Sequence, residues 1–402
     1  SLMGQQNFQA DIKVKQMLRQ AKYILISTPK LNTLMSEKNI VFKRALELAE
    51  NLIESVSPRP PVASIITHDG KIIGEGVTTN NPLRHAEINA INKAKDKIQS
   101  FEEITLYSTL EPCFHKGNTD PCVDKIIESG IKNVVIGSID PNPKVNKKSI
   151  NKLKNNNVNV ELISNNDLKK RSDKLIEPFN MYIKNSLPFV TVKMAISLDG
   201  KIATKTGDSK WISSEKSREI VQDMRSKSDA IIIGSKTLEI DKPSLNARNK
   251  DKQPKIKAVI KSNPKSISEF ESLLKDNSSE IIIYCNKIPS KNKKWENFTF
   301  VQVNSENGKL DLENILRDLA SRDCINVLME GGGKLLGSLI DLNLVNKVRL
   351  FISPMLIGGE SSTDSIGGDG IEFISQSKKI TDIEVKIIEN DIMVTGTIKE
   401  HV

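Results

Sequence analysis

The chain has 402 residues, enough for two to three domains that each bury a core. Hydrophobic residues make up 38% and charged residues 27%, and no apolar run is long enough to span a bilayer, so no membrane partner is expected. The formal net charge is +9, but aromatics are only 4% and the lysines are scattered, so no nucleic-acid partner is expected; only four cysteines and no signal-like opening point to the cytoplasm.

Residues 1–36 read as an N-terminal extension with no assigned function. The first domain is expected over 37–183. Apolar residues at helical spacing predict a helix over 42–53. Strands are expected over 61–67 and 71–76, joined by a turn at Asp69-Gly70. A helix opens at about His85, a strand follows over 104–108, and a second helix runs from Cys122 to Gly130, a C-terminal cap. A strand over 134–139 leads into Asp140-Pro141-Asn142-Pro143. Helices alternating with strands predict an α/β sandwich.

This part of the chain carries His85-Ala86-Glu87, then Pro112-Cys113, then Cys122. Each residue taken singly reads as structural. Together, an imidazole and two thiols form a zinc ligand set that leaves a fourth position for water. Glu87, two residues from His85, is placed to move a proton from the attacking water to leaving ammonia. This is the chemistry of a hydrolytic nucleobase deaminase. Eight residues separate the two cysteines, where two are usual. The predicted helix starts at His85 and Cys122 turn positive dipole ends toward the metal. Cys285 and Cys324 have no partner at ligand spacing.

The second domain is expected over 186–402. A strand is expected over 190–194, and Ser197 to Ala203 reads as a turn into further structure. Short apolar runs at 230–234, 281–284 and 325–329 suit buried parallel strands. The last ends in Glu330-Gly331-Gly332-Gly333, followed by a helix through Leu335, Leu336, Leu339 and Ile340 and a strand over 348–352. Three glycines between a strand and a helix either let backbone amides approach a phosphate or form a tight turn.

From about Lys38 onward the chain resembles the bifunctional riboflavin-biosynthesis deaminase/reductases. The first-domain likeness rests on Pro112-Cys113…Gly117…Thr119…Pro121-Cys122 and Asp140-Pro141-Asn142-Pro143. The second-domain likeness rests on Met194-Ala195-Ile196-Ser197-Leu198-Asp199-Gly200-Lys201, Trp211-Ile212-Ser213-Ser214, Gly234…Thr237…Asp241-Lys242-Pro243…Leu245…Arg248 and the glycine loop. The resemblance implies a cytidine-deaminase-like α/β/α domain followed by a dihydrofolate-reductase-like α/β domain. It implies one zinc per chain, NADPH, and a diaminopyrimidinone substrate carrying a ribosylamino 5′-phosphate. The pyrimidine amine would become a carbonyl, and the ribosyl group would then be reduced to ribityl. A homo-oligomer, dimer or larger, is expected.

Residue roles follow from the same likeness. Ile196, Trp211, Thr237, Asp241, Ser262, Gly331, Gly332 and Gly333 fall at NADPH contacts, with the tightest point of the turn expected at Gly332. Ser209, Arg225, Leu245, Arg248 and Glu330 fall at substrate contacts, the two arginines suiting a phosphate ester. Lys193 and Asp199 read either as aids to proton delivery and pocket shape or as ordinary surface and turn residues. Three departures bear on the deaminase substrate. Arg59 stands where the family has the Asn that holds the pyrimidine, Thr78 where it has His, and Asn118 where it has a basic residue. Competing readings are a zinc nucleic-acid (tRNA-type) deaminase with a basic accessory domain, a reductase with an altered deaminase substrate, and a non-enzymatic binder of phosphorylated pyrimidines.

Overall fold

A computed structural model describes residues 37–97, 104–116, 120–249, 252–275, 278–290 and 295–399; the 1–36 extension and Asn118 lie outside these. Asp69 and Gly70 take φ of 48° and 74° and turn the chain between β1 (Ala63–His68) and β2 (Lys71–Val77), as the Asp-Gly pair predicts. β1 also pairs antiparallel with β3 (Thr105–Leu110), and β4 (Asn133–Ser138) and β5 (Asn159–Leu162) continue parallel, giving the order β2-β1-β3-β4-β5.

Helices cover both faces of this sheet. On one, α1 (Glu37–Glu50) buries Val41, Phe42, Ala45, Leu46 and Ala49, a stripe at helical spacing. It starts five residues before the position its apolar pattern marks, and Ile53–Val56 is a separate turn of helix. On the other face, α2 (Ala86–Ala94), α3 (Cys122–Glu128) and α4 (Lys148–Asn155) pack Ala90, Ala94, Val123, Ile126 and Leu153 against Ile66, Leu106, Val134 and Ile136. α2 lies so close to β2 that a Cβ at Gly76 would stand 2.0 Å from Ala86 O. That contact fixes the height of the α2 N-terminus, where His85 sits. α5 (Asn166–Leu175) joins α1, completing an α/β/α sandwich, and α6 (Glu177–Asn185) leads to the second sheet.

The second sheet contains β6 (Phe189–Ser197), β7 (Ala230–Gly234), β8 (Ile256–Ile260), β9 (Glu280–Cys285), β10 (Thr299–Gln302), β11 (Asn326–Glu330), β12 (Lys347–Ser353), β13 (Lys379–Ile388) and β14 (Asp391–Lys399). Its order is β10-β9-β8-β7-β11-β6-β12-β14-β13. The first seven in that order are parallel, and β14 and β13 close one edge as an antiparallel hairpin. The apolar runs at 230–234, 281–284 and 325–329 are buried parallel strands, as expected. β7 shows why: Ile232 packs in the core on one face and Ile231 and Ile233 in the core on the other. α7 (Glu215–Ser226), α8 (Ser235–Asp241), α9 (Leu312–Ser321) and α10 (Gly333–Asp341) are the α-helices beside it. The carboxyl ends of β6, β7, β8 and β11 meet on one edge, the usual place for a ligand in an open parallel sheet.

Candidate active sites

His85 is the residue before α2, with extended backbone (φ −80°, ψ 154°), and Cys122 is the first residue of α3. Cys113 lies on the loop after β3. The backbone N–H of Cys122 donates to Cys113 Sγ at 3.1 Å, and that of Val123 to Cys113 O at 3.2 Å, so the start of α3 grips the loop. Glu111 holds the loop from the other side. Its buried carboxylate accepts from Asp140 N (3.2 Å), Lys147 N (3.0 Å) and Ser149 Oγ (2.6 Å). This pins the Asp140-Pro141-Asn142-Pro143 segment beneath Pro112-Cys113.

The three side chains converge. His85 Nδ1 is 3.2 Å from Cys122 Sγ and 3.4 Å from Cys113 Sγ, and all three donor atoms lie within 4.8 Å of one another. Hydrogen bonding from Cys122 and His85 holds the Cys113 thiol far below its ordinary range, at about 4. One imidazole and two thiols, one already favoured as thiolate, are a donor set that fits a zinc ion. Among the described residues this is the group of three such donors. Cys285, the last residue of β9, and Cys324, on the loop before β11, are buried thiols in the second domain.

Glu87 is 3% exposed in the first turn of α2. Burial, reinforced by Cys113 and opposed by His85, pushes its carboxyl up to about 7. A carboxyl poised near neutrality can both take and give a proton. Arg59, whose charge reaches His85, donates from Nη1 to Asn80 Oδ1 at 2.6 Å, and Asn80 Nδ2 donates to Ser55 O at 2.6 Å. Asn80 belongs to a two-residue ribbon, Thr79–Asn80 against Leu83–Arg84, that ends immediately before His85. Thr78 is buried, its N–H on Val62 O at 3.0 Å. Asn80 has no signal in the sequence, because its partner lies 21 residues away.

In the second domain the sequence-predicted residues gather at the carboxyl ends of β6, β7, β8 and β11. Ile196 is the last but one residue of β6, Thr237 and Asp241 lie on α8, and Ser262 follows β8 by two residues. Gly332 N donates to Thr237 Oγ1 at 3.1 Å. Gly331 has φ 129°, and a Cβ there would stand 2.6 Å from Thr237 Oγ1; at Gly333 it would stand 2.6 Å from Asp364 O. At Gly332 the nearest atom would be 3.8 Å away. The tight points are therefore Gly331 and Gly333, and the expectation for Gly332 is corrected. The small cradle opening on the α10 N-terminus fits a pyrophosphate. Ser209 Oγ donates to Asp241 Oδ1 at 3.1 Å, joining one predicted substrate residue to one predicted cofactor residue. Trp211 is 70% exposed, with the Arg218 guanidinium 4.5 Å from its ring centre.

Arg225 and Glu330 pair with each other. Arg225 Nε and Nη2 bond the two Glu330 oxygens at 2.6 and 2.9 Å, and Nη1 donates to Asn246 O at 3.1 Å. All three Arg225 nitrogens are thus engaged inside the protein, and its carboxylate partner Glu330 is another of the residues that the likeness places at the substrate. Arg248 differs, with an exposed guanidinium 3.1 Å from half-buried Glu219. Leu245 is buried at φ 56°. Lys193 lies opposite Glu330 in the β6–β11 register; burial lowers its pKa, and the Glu330 charge opposes that. Asn246 is a further residue that sequence reasoning did not name. Its side chain accepts from the fully buried Lys257, so it fastens the loop carrying Leu245 and Arg248 to β8.

Residues 35–138 match the model of the cytidine and deoxycytidylate deaminase zinc-binding region, and residues 188–394 that of the RibD C-terminal domain. The riboflavin biosynthesis protein RibD of Actinobacillus pleuropneumoniae is 35% identical over 87% of this chain and 93% of its own length. Among solved structures, the diaminohydroxyphosphoribosylaminopyrimidine deaminase/5-amino-6-(5-phosphoribosylamino)uracil reductase of Thermotoga maritima is 32% identical, with a TM-score of 0.76 over 89% of this chain and 97% of that one. Acinetobacter baumannii RibD is 27% identical, with a TM-score of 0.77 over 89% and 98%. With a deaminase domain that carries the His-Cys-Cys donor set and a reductase domain behind it, the chain belongs to the RibD family, the bifunctional deaminase/reductases of riboflavin biosynthesis.

Proposed function

We propose that the chain deaminates a diaminopyrimidinone carrying a ribosylamino 5′-phosphate and then reduces the ribosyl group of the product to ribityl. The division of labour follows residues 37–183 and 186–402. The observation that carries this reading is the buried Glu87 carboxyl beside the convergent His85, Cys113 and Cys122 donors. Those three residues would hold one zinc, which supplies Lewis acidity to activate water at neutral pH. Glu87 takes the proton of the attacking water and returns it to the departing amine, and its burial keeps that proton from bulk solvent.

In the second domain, Gly331 to Gly333, Thr237, Asp241, Ile196, Ser262 and Trp211 would hold NADPH, which supplies a hydride. Ser209, Leu245, Arg248 and Glu330 are assigned to the substrate, with Arg248 as the donor to its phosphate. Arg225 is assigned to Glu330, which it holds in place. Lys193, next to Glu330 across the register, is assigned to the same pocket.

The chain is further proposed to act in the cytoplasm as a homo-oligomer. Its four cysteines are free thiols, and no helix among the described residues is long and apolar enough to cross a membrane. The edge strand β13 exposes Ile383, Val385 and Ile387 in alternation, a face suited to cover by a second copy. Ammonia release and NADPH oxidation, followed in one preparation, test the two activities. Ammonia must appear without NADPH, and NADPH must be consumed only once the deaminated intermediate is present. A shifted deaminase substrate is favoured by one observation, the Arg59–Asn80 pair beside the triad. Comparing Arg59→Asn with the parent on the same substrate tests it.

A further inference from the structure

The Ser57-Pro58-Arg59-Pro60 loop lies in the first domain but is held from the second. Ser57 Oγ donates to Asp229 Oδ2 at 2.7 Å. Asp229, the residue before β7, is 6% exposed. The same oxygen accepts the backbone N–H groups of Ile325 and Asn326 at 3.0 Å each. Lys255 Nζ is 3.2 Å from Asp229 Oδ1, 3.2 Å from Asp323 O and 3.5 Å from Ser57 O. The carboxylate is therefore fixed by main chain of the second sheet before it reaches the loop. Two residues beyond Ser57, Arg59 bonds Asn80 in the ribbon that ends at His85.

We infer that Asp229, a residue of the reductase domain, is a positioning residue for the deaminase site: through Ser57 it sets where the Arg59 guanidinium stands beside the metal-binding triad. This rests on the reading of the triad and Glu87 as a deaminase site. Arg59 carries donors only, so the part of the substrate it meets is an acceptor, a carbonyl or a phosphate oxygen. A long side chain on a short loop gives a defined contact only if the loop is anchored. Arg59 N on Val56 O holds one side of the loop, and the Ser57–Asp229 bond holds it against the other domain. The two domains thus share one specificity element, and deaminase affinity depends on a carboxylate in the other half of the chain.

The test uses the full chain and the substitution Ser57→Ala, which spares the core bonds of Asp229. The KM of deamination should rise about 3- to 10-fold, the scale of one hydrogen bond, with kcat near that of the parent. NADPH-dependent reduction of the deaminated intermediate should be unchanged. Ser57→Thr, which keeps the hydroxyl, should restore the parent KM. A parent-like deaminase KM in Ser57→Ala, whatever its Tm, overturns the inference and leaves the deaminase reading standing. A loss shared equally by both activities overturns it as well, because it marks general destabilisation. Failure of the underlying reading is seen separately, as ammonia release that survives Glu87→Gln.

Discussion

Arg225 and Glu330, 105 residues apart in the chain, meet as a two-pronged ion pair at the carboxyl end of β11, with N···O distances of 2.6 and 2.9 Å. Both side chains are nearly buried. Burial by itself would raise the Glu330 pKa, but the Arg225 guanidinium outweighs it, and Lys193 adds to that pull, so the carboxyl is held below its ordinary value. Removing one partner of such a pair leaves a buried charge without compensation. Arg225→Met should therefore destabilise the protein by about 3–5 kcal/mol, toward the lower end because Lys193 remains beside Glu330. Urea unfolding of the two proteins measures it.

The same pair sets a pH dependence. A carboxyl whose folded-state pKa is depressed contributes stability above its unfolded pKa. That contribution is lost as pH falls through the lower folded value. The stability gap between the parent and Glu330→Gln should therefore be full at neutral pH and shrink in acid, below the ordinary carboxylate range. Thermal unfolding of both proteins across that range checks the sign.

The glycine loop makes two contrasting predictions. Gly331→Ala meets both a positive φ and the Thr237 hydroxyl, whereas Gly332→Ala meets open space. Strain of about 1–3 kcal/mol at Gly331 should raise the KM for NADPH roughly 10-fold or more. Gly332→Ala should stay within about twofold of the parent, since its backbone N–H to Thr237 survives. Ammonia release should be normal in both, which steady-state assays of the two activities will show.

Arg248, with its exposed guanidinium, is the arginine proposed to meet the substrate phosphate. Arg248→Ala should lower reductase kcat/KM about 10- to 150-fold, the range for one charge-assisted contact. The effect should vanish with a substrate lacking the 5′-phosphate. Arg248→Lys should recover only part of the loss, because an ammonium cannot offer two parallel donors.

Much of this was legible in the sequence, for local reasons. His85-Ala86-Glu87 and Cys122 each lie at a helix start, so the same few residues specify both the helix and the donor. The runs at 230–234, 281–284 and 325–329 are apolar because both faces of those strands are covered. β8 escaped because Lys257 interrupts its apolar run, although that lysine is buried. The β13–β14 hairpin escaped because β13 leaves its apolar residues exposed, so no core pattern marks it. The Arg225–Glu330 and Ser57–Asp229 pairs join positions far apart in sequence, and only the fold brings them together.

Metal content is the next expectation. One zinc per chain should bind, and Cys113→Ser or Cys122→Ser should lose it, while substitution of Cys285 or Cys324 should not. Elemental analysis of protein prepared without chelators checks this.

One chain is proposed to perform two chemistries in order, with Glu87 serving only the first. The most direct measurement is mass spectrometry of the product formed from the diaminopyrimidinone ribosylamino 5′-phosphate, with and without NADPH, by the parent and by Glu87→Gln. The parent should exchange an amine for a carbonyl oxygen without NADPH and gain two further hydrogens when NADPH is added. Glu87→Gln should leave the substrate unchanged yet reduce the deaminated intermediate at nearly the parent rate. Deamination at the normal rate by Glu87→Gln, or a parent product whose mass never changes without NADPH, would contradict the account.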